Sequence, residues 1–283
     1  MNRNKLLLLI LILAITCIAY GEDYKTTSFM RDLENRKGSY VYKKTSQPRS
    51  NFSSFVKRFS RDEKVFYKYT EHGQGDYDRY LNVTWEIDAE MEEKEDLLFL
   101  IYSNRIIRDK VGEIIVKYEK HFDYDERKID CISSDDKGEI IKKKTFPIKG
   151  YTTDNITLSY CLKTFVAHHD DKTYRSFYLI SSEPRLYRIT TKVIAHEVLE
   201  LPAGKINAIK LRLIPNFGVL TGLTGALIPP TYVWYTEKPP YTWLQYEGLE
   251  AGLGTSHIVV YISDFVEHIT RNILSPPSKK SII

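Results

Sequence analysis

The sequence predicts a mainly β protein: a curved antiparallel sheet with one helix lying across or plugging its concave side. Three observations carry this. Short runs rich in β-branched and aromatic residues alternate apolar with polar along most of the chain, and tyrosine is abundant, at 21 of 283 residues. Turn-forming clusters separate the runs: EHGQGD at 71–76, SSDDKG at 133–138, SSEP at 181–184 and LPAG at 201–204. A single convincing helical segment, NITLSYCLKTFVAH (155–168), interrupts them.

The chain opens with the basic MNRNK and continues as LLLLILILAITCIAY, uncharged from Leu6 to Tyr20. A positive start, an apolar stretch and the small residues Ala19 and Gly21 are the layout of a secretory signal peptide, with cleavage expected near Gly21. The apolar stretch falls short of the ~20 residues a spanning helix needs. Retention as an N-terminal anchor and lipidation at Cys17 are the alternatives; Thr16 fits poorly before a lipidated cysteine. The expected location is periplasmic or secreted, in a bacterial source.

Loss of residues 1–21 removes Arg3 and Lys5 and no acid, so the balance of 41 basic to 37 acidic residues becomes 39 to 37. Near-neutrality argues against nucleic acid as a partner, which would require a basic face. Residues 22–62 read as a partly irregular extension, 63–266 as one β-rich domain and 267–283 as a tail.

Strands are expected near 39–45, 64–70, 79–90, 97–107, 113–122, 126–134 and 138–146. After the helix they resume at 173–182, 186–201, 205–214, 231–236, 242–248 and 256–264. Asp154 is placed to cap the helix, on which Leu158, Cys161, Leu162 and Phe165 form one apolar stripe. In an oxidising compartment the remaining cysteines, Cys131 and Cys161, are expected to pair. Such a bond would stabilise the fold by ~3–4 kcal/mol and pin the helix to the sheet; two buried free thiols are the alternative. Asn51, Asn82 and Asn155 begin glycosylation sequons, which matter only in a eukaryotic source.

Within LELPAGKINAIKL (199–211), Pro202 suits the second position of a type I turn and Gly204 the positive φ of a following glycine bulge, so a three-residue hairpin is expected. Ile209, Leu211 and Leu213 alternate with Lys210 and Arg212. Ile206 and Ala208 are out of phase with them, so a bulge is expected near Asn207–Ala208.

The segment TKVIAHEVLELPAGKINAIKLRL, with Glu197, Pro202-Ala203-Gly204 and the return strand Ile206 to Leu213, resembles the central hairpin of an exported bacterial family, domain of unknown function 3108. DNITLSYCLKTF is similar to that family's helix, and TYVWYTEKPPYTWLQYEGLEAG, with Trp234, to its tryptophan-containing strands. The likeness covers about residues 113–265. The long uncharged segment 213–236 and EKPPYTWLQYEG depart from the pattern. The resemblance implies an incomplete periplasmic β-barrel and, the family's activity being unknown, no catalytic residues.

Chemical motifs are sparse. AHHDD offers His168, His169, Asp170 and Asp171, but adjacent residues on an extended chain point to opposite sides, so a polar turn is the better reading than a metal site. No Gly-x-Ser-x-Gly elbow surrounds any serine, and GVLTGLTG (218–225) lacks the Lys-Ser/Thr ending of a phosphate loop. No catalytic residue, metal or cofactor is assigned.

The most informative stretch is LIPNFGVLTGLTGALIPPTYVWYT (213–236), without a charge. Pro215, Pro229 and Pro230 bar a spanning helix and the glycines an unbroken strand. It reads either as a hairpin filling the barrel or as an apolar flap at the rim of a cavity or against a membrane surface. In the second reading Phe217, Leu220, Leu223, Leu227, Tyr232, Trp234 and Trp243 line a pocket for a lipid or other apolar ligand. The function expected is that of a non-catalytic envelope protein carrying such a ligand. A protein-binding scaffold or assembly factor at the outer membrane and a hydrolase with an unrecognised site are the alternatives.

Overall fold

The structure is a computed structural model that describes residues 33–95, 97–167, 175–216, 229–252 and 254–263. The first eight strands form a meander: β1 (Leu33–Tyr42), β2 (Pro48–Arg61), β3 (Lys64–Tyr77), β4 (Tyr80–Lys94), β5 (Leu97–Arg108), β6 (Ile114–Asp123), β7 (Lys128–Ser134) and β8 (Ile140–Pro147). The short β9 (Thr152–Asp154) leads into helix α1 (Leu158–Ala167). A second meander follows, of β10 (Arg175–Ile180), β11 (Leu186–Leu201), β12 (Gly204–Asn216), β13 (Thr231–Thr236), β14 (Trp243–Leu249) and β15 (His257–Ile262). β1 pairs antiparallel with β15, joining both meanders into one 15-stranded sheet ordered β8 to β1, then β15 to β9.

β8 and β9 are the two ends of that sheet, yet only residues 148–151 separate them in the chain. Those residues can span no more than ~18 Å, so the sheet curls until its ends approach each other. No backbone ladder joins the ends, and the barrel is incomplete. A side chain reaches across instead, Lys144 Nζ on β8 donating to the Pro184 carbonyl after β10 (3.1 Å), and Tyr151 Oη in the connection donates to the Leu98 carbonyl on β5 (2.8 Å).

Helix α1 occupies the enclosed space and touches β5 on one wall and β14 on the other. The sequence suggests one apolar stripe, but Leu158, Tyr160 to Val166 are all buried, because the sheet surrounds the helix. Asp154 caps it as expected. Its Oδ1 accepts from the backbone N–H of Ile156 (3.0 Å) and Thr157 (3.0 Å), and Oδ2 from Ser103 Oγ (2.7 Å) and Lys120 Nζ (2.9 Å). Burial pushes this carboxyl up, but Lys120 and the hydrogen bonds outweigh it and hold the group below its ordinary range.

Several sequence expectations are corrected. Cys131 and Cys161 are both free and buried. The Cys161 thiol is engaged with Thr153 Oγ1 (3.1 Å) and the Leu98 carbonyl (3.7 Å), while Cys131 lies within the β6–β7–β8 ladder. Burial raises both thiols, Cys131 to about 11. Residues 33–61, read as part of a partly irregular extension with one strand near 39–45, form two strands in the middle of the sheet. EHGQGD is not a turn but the end of β3: Gly73 faces Trp85, and a Cβ there would sit 1.9 Å from the indole, so glycine makes room for a flat aromatic ring.

The Pro202-Ala203 connection is a two-residue turn, not the expected three-residue one, with Gly204 at φ 117° pairing with Leu201. The bulge near it lies on β11 at Ile194, not at Asn207–Ala208. β12 pairs with β13 only over Ala208–Leu213. The rest of the β11–β12 hairpin lies against the outer face, where Leu201 and Pro202 meet Val41, Gln245, Val259 and Tyr261 across a shallow groove. The N-terminal 32 residues, which hold the expected signal segment and Cys17, and residues 264–283 lie outside the described residues.

Candidate ligand cavity

The strand directions place the turns 43–47, 78–79, 181–185 and 250–256 and the ends of the 213–231 segment at one rim. The Pro-Ala-Gly turn belongs to the opposite ends of its strands. Below the first rim, between α1 and the walls, lies a cavity of about 260 Å³. Ile156, just before α1, and Leu158 and Ser159 in its first turn supply the floor, while Leu213, Pro215, Thr231, Leu249 and Gly252 lie toward the rim.

One wall is apolar: Leu179, Ile189, Val233, Trp243 and Val260, with Phe52 on β2 on the other side. The other carries Tyr40, Tyr69, Glu71, Tyr77, Asp78, Arg105 and Ser182. Tyr40, Tyr69, Glu71, Tyr77 and Arg105 occupy strand positions whose phase points inward, while Asp78 and Ser182 reach in from turns. On β5 a bulge at Ile101 moves the inward phase from Leu98 and Leu100 to Ser103, Arg105 and Ile107. On β3 the same phase runs Tyr67, Tyr69 and Glu71.

Aromatic stacking stiffens this wall. Tyr77 lies flat on Trp85 at 4.2 Å between centroids, and Tyr40 meets Phe52, Tyr77 and Trp85 edge-on. Glu71 is fully engaged: Oε1 accepts from Trp85 Nε1 (2.9 Å) and Oε2 from the Tyr69 hydroxyl. Burial raises its carboxyl, more than these bonds and the Arg105 charge lower it. At the rim, Glu250 accepts from Arg49 (2.6 Å) and the Asp78 backbone N–H (2.7 Å), tying two turns together. Burial pushes Glu250 up to about 7 against the opposing pull of Arg49.

Arg105 differs from the acids. It is 3 % exposed, and its donors reach only Tyr77 Oη (3.5 Å) and Ser182 Oγ (3.3 Å), with the Asp78 carboxylate at 3.9 Å. Its Nε has no hydrogen-bond partner among the described residues. The guanidinium rests over Tyr118, 4.7 Å from the ring centre.

The structure divides the residues expected to bind a ligand. Trp243 lines the cavity. Tyr232 and Trp234 do not: Val233 faces inward, so its neighbours face out, where Trp234 Nε1 donates to Glu197 (2.6 Å) under the β11–β12 hairpin. Lys210 sits over both rings. Phe217, Leu220, Leu223 and Leu227 lie outside the described residues, as do His168, His169, Asp170 and Asp171. Arg105, Glu71, Tyr40, Tyr77 and Ser182 were missed; for the first four the legible signal is a polar residue on the apolar phase of a strand, and for Ser182, in a turn, there is none.

No family model and no curated protein matches the chain, so the resemblance to domain of unknown function 3108 is not shown. Among solved structures, the chain is similar in outline to a β-barrel-like protein of domain of unknown function 1849 from Brucella abortus, at TM-score 0.46 and 10% identity over 81% of this chain and 95% of that one. A protein assigned as exported, with a YmcC-like fold, from Bacteroides fragilis gives 0.30 and 5% over 83% and 95%. A protein assigned as a lipoprotein from Parabacteroides distasonis gives 0.28 and 9% over 83% and 95%.

Proposed function

We propose that the chain is a non-catalytic envelope protein, exported by its N-terminal segment, that carries a lipid or other apolar ligand inside its incomplete barrel. The observation that carries this reading is the cavity of about 260 Å³ between α1 and the sheet, walled on one side by Leu179, Val233, Trp243 and Val260. Its size lies just below the ~300–1,000 Å³ typical of small-molecule sites, which suits one short chain rather than a whole phospholipid. Each methylene buried there contributes ~0.8 kcal/mol before the cost of immobilisation.

The uncharged segment 213–236 supports the reading through its described ends, since Leu213, Pro215, Thr231 and Val233 all border the cavity. The test is solvent extraction and mass spectrometry of the protein exported to the periplasm, followed by incubation of ligand-free protein with lipids and single-chain amphiphiles. Co-purification or uptake of an apolar compound, abolished by Val233→Trp in a folded variant, is expected. Protein that is empty on isolation and stays empty when offered these compounds would falsify the carrier role.

A further inference from the structure

We propose that the cavity selects a single-chain amphiphile bearing a carboxylate, with the head group at Arg105 and the chain along the Val233–Trp243 wall; this rests on the carrier reading above.

The argument is one of unused hydrogen-bonding capacity. A guanidinium has five N–H donors in a rigid fork and no acceptor, and leaving donors buried without partners is costly. Arg105 is buried and makes two long hydrogen bonds to neutral hydroxyls, with Nε unpartnered among the described residues. The acids around it offer little further. Both Glu71 oxygens are taken by Trp85 and Tyr69, and both Glu250 oxygens by Arg49 and the Asp78 backbone. Asp78 stands 3.9 Å from the guanidinium, at the outer limit of an ion pair. Arg105, which lines the cavity, therefore keeps guanidinium donors with no acceptor closer than the Asp78 carboxylate and the two hydroxyls among the described residues, and a ligand oxygen at that wall would supply one.

A carboxylate matches the fork of Arg105 bidentately. Ser182 and Tyr77 now only accept from Arg105, and each hydroxyl can turn its own proton toward a bound oxygen. The stacked Tyr77–Trp85 pair and the Tyr118 ring beneath the guanidinium hold these donors in place before any ligand arrives. An amine head group would meet Arg105 with like charge. An uncharged one would leave the fork half used.

The experiment is calorimetric titration of the mature, delipidated chain at pH 8 with three probes of equal chain length: decanoate, methyl decanoate and 1-decanol. Decanoate is expected to bind at least tenfold more tightly than the other two. Arg105→Gln should reduce decanoate to the level of the ester and leave the ester unchanged. If that variant fails to fold, Ser182→Ala and Tyr77→Phe each remove one donor and should weaken decanoate several-fold while sparing the ester. Equal binding of acid and ester overturns the carboxylate assignment but leaves the carrier reading intact. Failure of all three probes to bind, with no apolar compound recovered from exported protein, removes the carrier reading and this one with it.

Discussion

Replacing Asp154 with alanine tests how α1 is held inside the barrel. The carboxylate serves two structures at once: it caps the helix through Ile156 and Thr157, and it neutralises Lys120, whose side chain is 6% exposed. Loss of an N-cap costs ~1 kcal/mol. Stripping the partner from a buried ion pair costs ~3–5 kcal/mol, because the remaining charge stays desolvated. Lys120 keeps a long contact to Asn155 Oδ1 (3.4 Å), so about 4 kcal/mol is expected for Asp154→Ala. Urea unfolding followed by tryptophan fluorescence reads it: with a slope of ~2–3 kcal/mol/M, the midpoint falls by ~1.3–2 M. Asp154→Asn keeps the cap and removes the charge, so it should recover ~1 kcal/mol of that loss. The depressed acid also stabilises the fold above its unfolded value near pH 3.8, and this contribution fades as pH falls through the lower folded value. A loss below ~1 kcal/mol for Asp154→Ala, at unchanged slope, would refute the dual role.

Glu250 behaves in the opposite sense. Its folded state favours the proton, so its contribution is complete below about 4.5 and is lost as pH rises toward about 7. Glu250→Gln should flatten the stability profile between pH 5 and 8 by up to ~3 kcal/mol; parallel profiles for the two proteins in urea titrations would count against it. For the cysteines, alkylation without reductant should leave the native protein unlabelled and modify both Cys131 and Cys161 in denaturant, because buried thiols raised as Cys131 is, to about 11, carry little thiolate at pH 8. Denatured protein that takes up label only after reduction would restore the disulfide.

The fold was legible where local rules decide. Alternation placed most strands, and Asp154 before an apolar run at helical spacing announced α1, since a cap and a periodicity are properties of neighbouring residues. β2 was missed because Ser50 to Arg61 mixes serines, arginines and phenylalanines with no clean contrast, although its burial alternates once it is paired. The 71–76 segment misled because its glycines look like a turn until Trp85 is known to lie on them. The cysteine pairing misled because an even count in an exported chain says nothing about which way the two thiols point.

The candidate site was half legible. The uncharged segment 213–236 does begin and end at the cavity, and Trp243 lines it. Trp234 and Tyr232 share its composition but face outward, since side chains alternate along a strand and only the placement of Val233 and Tyr235 tells which phase is inner. The sequence by itself determined a strand-rich chain, its single described helix and the cap that starts it. Tertiary structure alone decided that β1 joins β15, that the sheet curls around α1, and that a bulge at Ile101 turns Arg105 inward beside Tyr77 and Ser182. Those outcomes depend on contacts between residues far apart in the chain, whose register no local pattern encodes.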